Sequence, residues 1–166
     1  FEIAESRDIE EVFPEGLSKN EIPIYLSNLK SEAYLDLVDE QTILITSDTI
    51  VWKDGKVLGK PENMHYAKIM LRQIADDLHE VITGVTIRTA STLKSFHSNT
   101  IVCFDPLSDE EIDYYLKKYA PLDKAGAYGI QEWIGYIGVD RIEGSYYNVM
   151  GLPVKELYEA ITNLCD

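Results

Sequence analysis

Ile43-Leu44-Ile45-Thr46-Ser47-Asp48-Thr49, followed by the turn Gly59-Lys60-Pro61, is the stretch on which the fold reading depends. Three consecutive apolar residues, two of them β-branched, read as a strand buried on both faces, and the polar run after them reads as its end. A buried strand ending in an acid, with a lysine-bearing turn after it, sets a carboxylate and a cation at one rim of a sheet. Open α/β sheets take their ligands there. The layout suits phosphate and metal chemistry.

Working outward, Ile22, Leu26, Leu29, Ala33 and Leu37 form one apolar stripe on a helix between Leu17 and Leu37, with Lys30 off the stripe. Ser18 and Glu21 offer a capping box, and Pro23 is expected to delay the helix start by a turn. Downstream, Asp54-Gly55 between Val51-Trp52 and Val57-Leu58 signals a hairpin. Met64, Ala67, Leu71 and Ile74 mark a second amphipathic helix, and 81–89 with 95–104 read as an antiparallel ribbon. Ser108 and Glu111 form another capping box, with Lys117 and Lys118 in the last turn and Pro121 beyond it. The glycine-punctuated segment 125–151 predicts short strands and tight turns, and Pro153 opens a closing helix to Leu164. Helices alternating with strands predict an α/β fold. Phe1-Glu2-Ile3 alternates like a strand already under way.

A chain of 166 residues suggests one domain, and 45% hydrophobic with 27% charged residues is the composition of an ordinary globular protein. The net charge of −14 disfavours broad attraction to a nucleic-acid polymer, though a small anion can bind where a few cations converge. Cys103 and Cys165 form no CxxC pair, which suits a reducing cytoplasm. The apolar stretches are far shorter than the roughly 20 residues that span a bilayer, so the expected setting is cytoplasmic, away from the membrane.

A lone aspartate at a strand end more often caps a turn, and what lifts Asp48 is its company. Ser47 and Thr49 add hydroxyls, Lys60 a cation, and Glu10 and Glu11 upstream can complete a site for a divalent metal, since Mg²⁺ favours a few carboxylates plus substrate phosphates. In Asp123-Lys124-Ala125-Gly126-Ala127-Tyr128-Gly129-Ile130-Gln131, glycines let backbone N–H groups approach an anion, and the Gln131 amide can read a base edge. Lys124 adds a cation. The GxxxxGK[ST] pattern is absent, and His65, His79 and His97 lack zinc-ligand spacing. GxSxG is absent too, and neither cysteine has an evident histidine partner, so covalent catalysis is disfavoured. In Gly144-Ser145-Tyr146-Tyr147-Asn148 the tyrosines can stack on a base, although such residues more often fill a core edge or a dimer contact.

Ser47-Asp48-Thr49-Ile50-Val51, Gly59-Lys60-Pro61, the stretch 123–131 and Gly144-Ser145-Tyr146-Tyr147-Asn148-Val149-Met150-Gly151-Leu152-Pro153, in that order, resemble the Maf (septum formation) family of nucleotide pyrophosphatases. The resemblance implies an α/β fold with a mixed, strongly curved sheet and a deep cleft, similar to the inosine triphosphate pyrophosphatases. It implies cleavage of a nucleoside triphosphate to the monophosphate and pyrophosphate with a divalent metal cation, Mg²⁺ first and Mn²⁺ or Co²⁺ as alternatives. By the family's pattern Asp48 matches the proton acceptor and a metal contact, Lys60 a phosphate-binding lysine, Lys30 the lysine of a helical motif, and Glu11 an acid that is a candidate metal ligand. Thr49 and Gln131 match positions associated with base choice, and with Gly129 they resemble the branch acting on dTTP and UTP rather than on 7-methyl-GTP. Ser47, Lys124 and Gly129 are expected at the phosphates or the base. The family's opening strand and its Ser-x-Ser-Pro-Arg-Arg turn would lie before Phe1, so the expectation is a single domain over residues 1–166 without them. A homodimer is expected, and the competing readings are a non-catalytic regulatory or binding role tied to septum formation and a pyrophosphatase for 7-methyl-GTP or non-canonical purine nucleotides.

Overall fold

The computed structural model describes residues 1–165, with Cys165 in backbone only, so the reading of its thiol lies outside the described residues. The elements, in chain order, are α1 (Glu21–Ala33), β1 (Leu44–Lys53), β2 (Lys56–Leu58), α2 (Met64–Ile74), β3 (Leu78–Arg88), β4 (Leu93–Phe104), α3 (Asp109–Tyr119), α4 (Trp133–Gly138), β5 (Val139–Glu143), α5 (Tyr146–Val149) and α6 (Val154–Cys165). The five strands form one sheet in the order β2-β1-β3-β4-β5, flanked by helices, an α/β architecture. β2 pairs antiparallel with β1, and β5 with β4. A short connection closed by a 2.9 Å bond from Thr89 N–H to Thr92 C=O joins β3 to β4 as a hairpin. The chain falls into two compact units, one of residues 1–48 with 84–97, the other of 49–83 with 98 onward.

In the first unit, α1 opens at Glu21, a turn after Leu17 as Pro23 leads one to expect, and ends at Ala33, short of Leu37. Glu21 accepts from Ser18 N–H at 2.8 Å, one half of the expected capping box, and Pro23 then falls in the first turn, where a missing N–H costs nothing. The helix buries Ile22 and Leu26, as its stripe predicts, together with Pro23, but continues with Ser27 and Ser31 in place of Leu29 and Ala33. The reason lies on β3. A Cβ placed on Gly84 would come within 2.2 Å of the Pro23 carbonyl carbon, so α1 lies directly on bare backbone and only small side chains fit beside it. Both serines are satisfied, Ser27 by Thr86 at 2.9 Å and Ser31 by the Arg88 guanidinium at 3.0 Å.

The second unit holds the larger core. Ala67, Leu71 and Ile74 of α2 pack in one cluster with Ile112, Tyr115 and Leu116 of α3. Asn63 caps α2, accepting from His65 and Tyr66 N–H, and the Ser108–Glu111 capping box on α3 forms in both directions. Asp54 and Gly55, both at positive φ, make the expected β1–β2 turn.

Four expectations need correction. The run Ile43-Leu44-Ile45 is not buried on both faces, since Ile43 and Ile45 are exposed. β1 does not end at Asp48. It runs on to Lys53, because Ile50 and Val51 are buried and Thr46 and Thr49 are β-branched, so the polar residues interrupt the hydrophobic run without interrupting the strand. Phe1–Ile3 is irregular and exposed, an alternation too short to specify a strand. Segment 125–151 holds only one strand, β5, and is otherwise built of short helical turns. Gly135 belongs to one of them, α4, and a Cβ there would fall 1.9 Å from the Ile130 carbonyl oxygen.

Candidate active site

In the first unit three of the expected residues converge. Lys30 projects from α1 and donates to Asp48 Oδ1 at 2.5 Å, and its ammonium lies 3.0 Å from Glu11 Oε1. Asp48, mid-strand on β1, is 8% exposed. Thr46 Oγ1 donates to the Ser27 carbonyl at 2.7 Å and so ties β1 to α1 beside the pair. Burial alone would lower the Lys30 pKa, but the charge and hydrogen bond of Asp48, followed by those of Glu11, outweigh it and hold the ammonium above its ordinary value. The result is two carboxylates aimed at one positive charge in a partly dry setting. Ser47, half-buried, is Asp48's neighbour on the strand.

Glu11 lies on an irregular segment, and a latch four residues earlier secures that segment. The Arg7 guanidinium forks onto Asp36 at 2.6 and 2.8 Å, donates to the Ala33 carbonyl, and lies 4.5 Å over the Tyr34 ring. Arg7 N–H donates to Tyr34 Oη at 3.0 Å, and that hydroxyl donates to the Glu5 carbonyl at 2.9 Å. None of this was visible in the sequence.

The second unit carries the other expected residues in two places. Gly126 N–H donates to the Gly59 carbonyl at 3.2 Å, which pins the Gly59-Lys60-Pro61 turn to the loop 124–127. The Asp123 carboxyl lies below its usual range through its hydrogen bond from Lys124, with Lys60 adding a smaller Coulombic share. Lys124 also faces Glu132 at 3.5 Å; burial lowers its pKa, and Asp123 and Glu132 reverse that and raise it. Gly129 does not offer its amide to an anion, because that N–H donates to Tyr115 Oη at 3.1 Å while the same hydroxyl donates to Glu132. Its lack of a side chain makes room for Glu132, whose Cδ would lie 2.9 Å from an added Cβ. Gln131 is exposed, and its backbone carbonyl accepts from Tyr136 at 2.7 Å.

The second place is a buried polar chain. Thr49 Oγ1 meets Thr83 Oγ1 at 2.8 Å, and Asn148, fully buried, donates to the Val81 carbonyl and to Thr100 Oγ1 at 3.0 and 2.9 Å. In the stretch 144–148 the tyrosines face outward, Tyr147 with 59% exposure, and Asn148 is the residue turned inward.

The family model described as Maf-like protein matches residues 1–164. The chain belongs to the Maf family. This Maf protein is 52% identical over 161 residues to a protein of Parabacteroides distasonis named dTTP/UTP pyrophosphatase, covering 97% of the chain and 83% of the relative. A Bacteroides thetaiotaomicron protein of the same name is 53% identical over 157 residues, covering 95% and 81%. A Flavobacterium johnsoniae protein, also so named, is 48% identical over 158 residues, covering 95% and 81%. Sequence reasoning missed Arg7, Thr83, Tyr115, Glu132 and Asn148. Only Asn148 and Glu132 carried a signal, lying within or beside the motifs, and it was overshadowed by the neighbouring tyrosines and glycines.

Proposed function

We propose that this protein hydrolyses dTTP and UTP to the nucleoside monophosphate and pyrophosphate. The observation that carries the reading is the convergence of Glu11, Lys30 and Asp48 in a chain about half identical to relatives named for that reaction. Asp48 accepts the proton of the water that attacks the α-phosphorus, as a general base whose direction a neighbouring cation fixes. Lys30 supplies that cation and fixes the side chain's direction. Lys60 and Lys124 bind phosphate oxygens, Thr49 and Gln131 contact the base, and Ser47 and the Gly129 segment border the substrate.

Two carboxylates sharing one cation are a donor set that fits Mg²⁺, which binds through one or two carboxylates and completes its shell with water and substrate phosphates. Asp48 and Glu11 would hold it, with Mn²⁺ or Co²⁺ as substitutes. When bound, such an ion neutralises charge on the pyrophosphate leaving group. A cytoplasmic setting, where nucleotides are made and used, belongs to the same reading. So does a homodimer formed through exposed Tyr136, Tyr147 and Tyr158. Among the described residues no helix is long and apolar enough to cross a membrane.

Phosphorus NMR of the products from dTTP tests the reaction directly. The expected products are dTMP and pyrophosphate, formed with added Mg²⁺ and abolished by a chelator; dTDP and orthophosphate, or no turnover, would overturn the reading.

A further inference from the structure

The hydroxyl hydrogens along the buried chain behind Thr49 can be counted. Thr83 Oγ1 lies 3.0 Å from the backbone carbonyl oxygen of Asn148. A carbonyl only accepts, and a threonine has a single hydroxyl hydrogen, so that hydrogen goes to Asn148. Thr83 is fully buried, where turning two lone pairs on each other is costly, so no water relieves the constraint. The 2.8 Å bond between Thr83 and Thr49 must therefore take its hydrogen from Thr49. Asn148 cannot shift to release it, because its amide nitrogen is committed to Val81 and Thr100 and its N–H to Ser145 Oγ at 3.2 Å.

Thr49 is thus left with acceptor capacity only. It is half-buried, and Gly151 lies beside its hydroxyl without crowding it, since even an added Cβ there would stand 3.6 Å from Oγ1. We propose that Thr83 and Asn148 are positioning residues that make Thr49 a one-way acceptor, and that this acceptor reads the imide N3–H of uracil and thymine. The inference rests on the proposed function, which sets Thr49 against the base. Cytosine presents a lone pair at N3 and meets the Thr49 oxygen as acceptor against acceptor. The device sorts bases with a ring N–H from cytosine and adenine; guanine and hypoxanthine, with their own N1–H, satisfy the same contact and are sorted from uracil by size.

The test compares kcat/KM for UTP and CTP in the native protein and in Thr83→Val, Thr83→Ser and Thr49→Val. The native protein should favour UTP. Thr83→Val frees the Thr49 hydrogen to donate, so the preference should shrink about tenfold, with CTP turnover rising, a gain that structural damage does not produce. Thr83→Ser should restore the native ratio. Thr49→Val keeps the β-branched shape on a partly exposed strand position, and should lose the preference through UTP even if Thr83→Val fails to fold. A ratio unchanged in Thr83→Val or in Thr49→Val, or equal native turnover of UTP and CTP, would overturn the relay while leaving the pyrophosphatase reading intact. No pyrophosphate from any triphosphate with the native protein would overturn both.

Discussion

At the residue scale, the Asp48 carboxylate shares the Lys30 ammonium with Glu11. Replacing it by Asn keeps the volume and removes the base, so turnover should fall by about 10²–10⁴-fold while the circular dichroism spectrum stays native. Near-native turnover would remove Asp48 from the mechanism. Lys30→Met removes the cation between two acids, and should lower kcat with the fold retained; an unchanged kcat would reduce Lys30 to a structural pairing. Asp48 could be singled out in the sequence because it follows an apolar run in the company of Ser47, Thr49 and Lys60. Lys30 could not be singled out on periodicity alone, since a helical pattern gives a residue's face and not which strand that face meets. Family resemblance supplied it. Arg7 had no signal, because a latch made by an irregular segment has no period to read.

At the element scale the closest approach in the first unit is α1 on β3. Gly84 has no room for even one methyl group beside Pro23 and Ile24 backbone, so Gly84→Ala should push the helix off the strand and cost about 1–3 kcal/mol. Thermal unfolding should show it as a Tm lower by roughly 2–4 °C per kcal/mol; an unchanged Tm would mean that the contact is slack. α2, read from its stripe, and α3, read from its caps, were legible almost to the residue. The hairpin at Asp54-Gly55 was legible as well, for turn chemistry is local. The course of β1 past Asp48 was not, because burial of a polar residue is decided by partners distant in sequence. The short helices of 125–151 were hidden because their glycines read as turns between strands, whereas Gly135 lies inside a helix and leaves room for the Ile130 carbonyl.

At the scale of the whole molecule, the chain carries a charge of −14 and a buried histidine that resists protonation. His79 Nε2 lies 2.7 Å from Tyr128 Oη, and burial, aided by the Lys53 charge, pushes the imidazole pKa down to about 4. The unfolded chain takes up that proton near pH 6.5, the native protein only near 4, so stability rises with pH across this window and is lost on acidification through it. The loss amounts to about 3 kcal/mol when complete. Urea unfolding at pH 7 and pH 4.5 should show native stability falling more steeply than that of His79→Gln, which has no proton to bind; parallel falls would place the acid sensitivity elsewhere. The α/β class and the order of most elements were legible from alternation and caps. The division into two compact units was not, because the boundaries fall inside strands, at Asp48–Thr49, Thr83–Gly84 and His97–Ser98, where the hydrophobic pattern does not change.

The most direct measurement is pyrophosphate release from dTTP, UTP and 7-methyl-GTP with Mg²⁺, by the native protein and by Asp48→Asn side by side. Release from dTTP and UTP, little from 7-methyl-GTP, and a loss of at least about 100-fold in Asp48→Asn is the predicted result. Preference for 7-methyl-GTP, or an Asp48→Asn protein that releases pyrophosphate at the native rate, would contradict it.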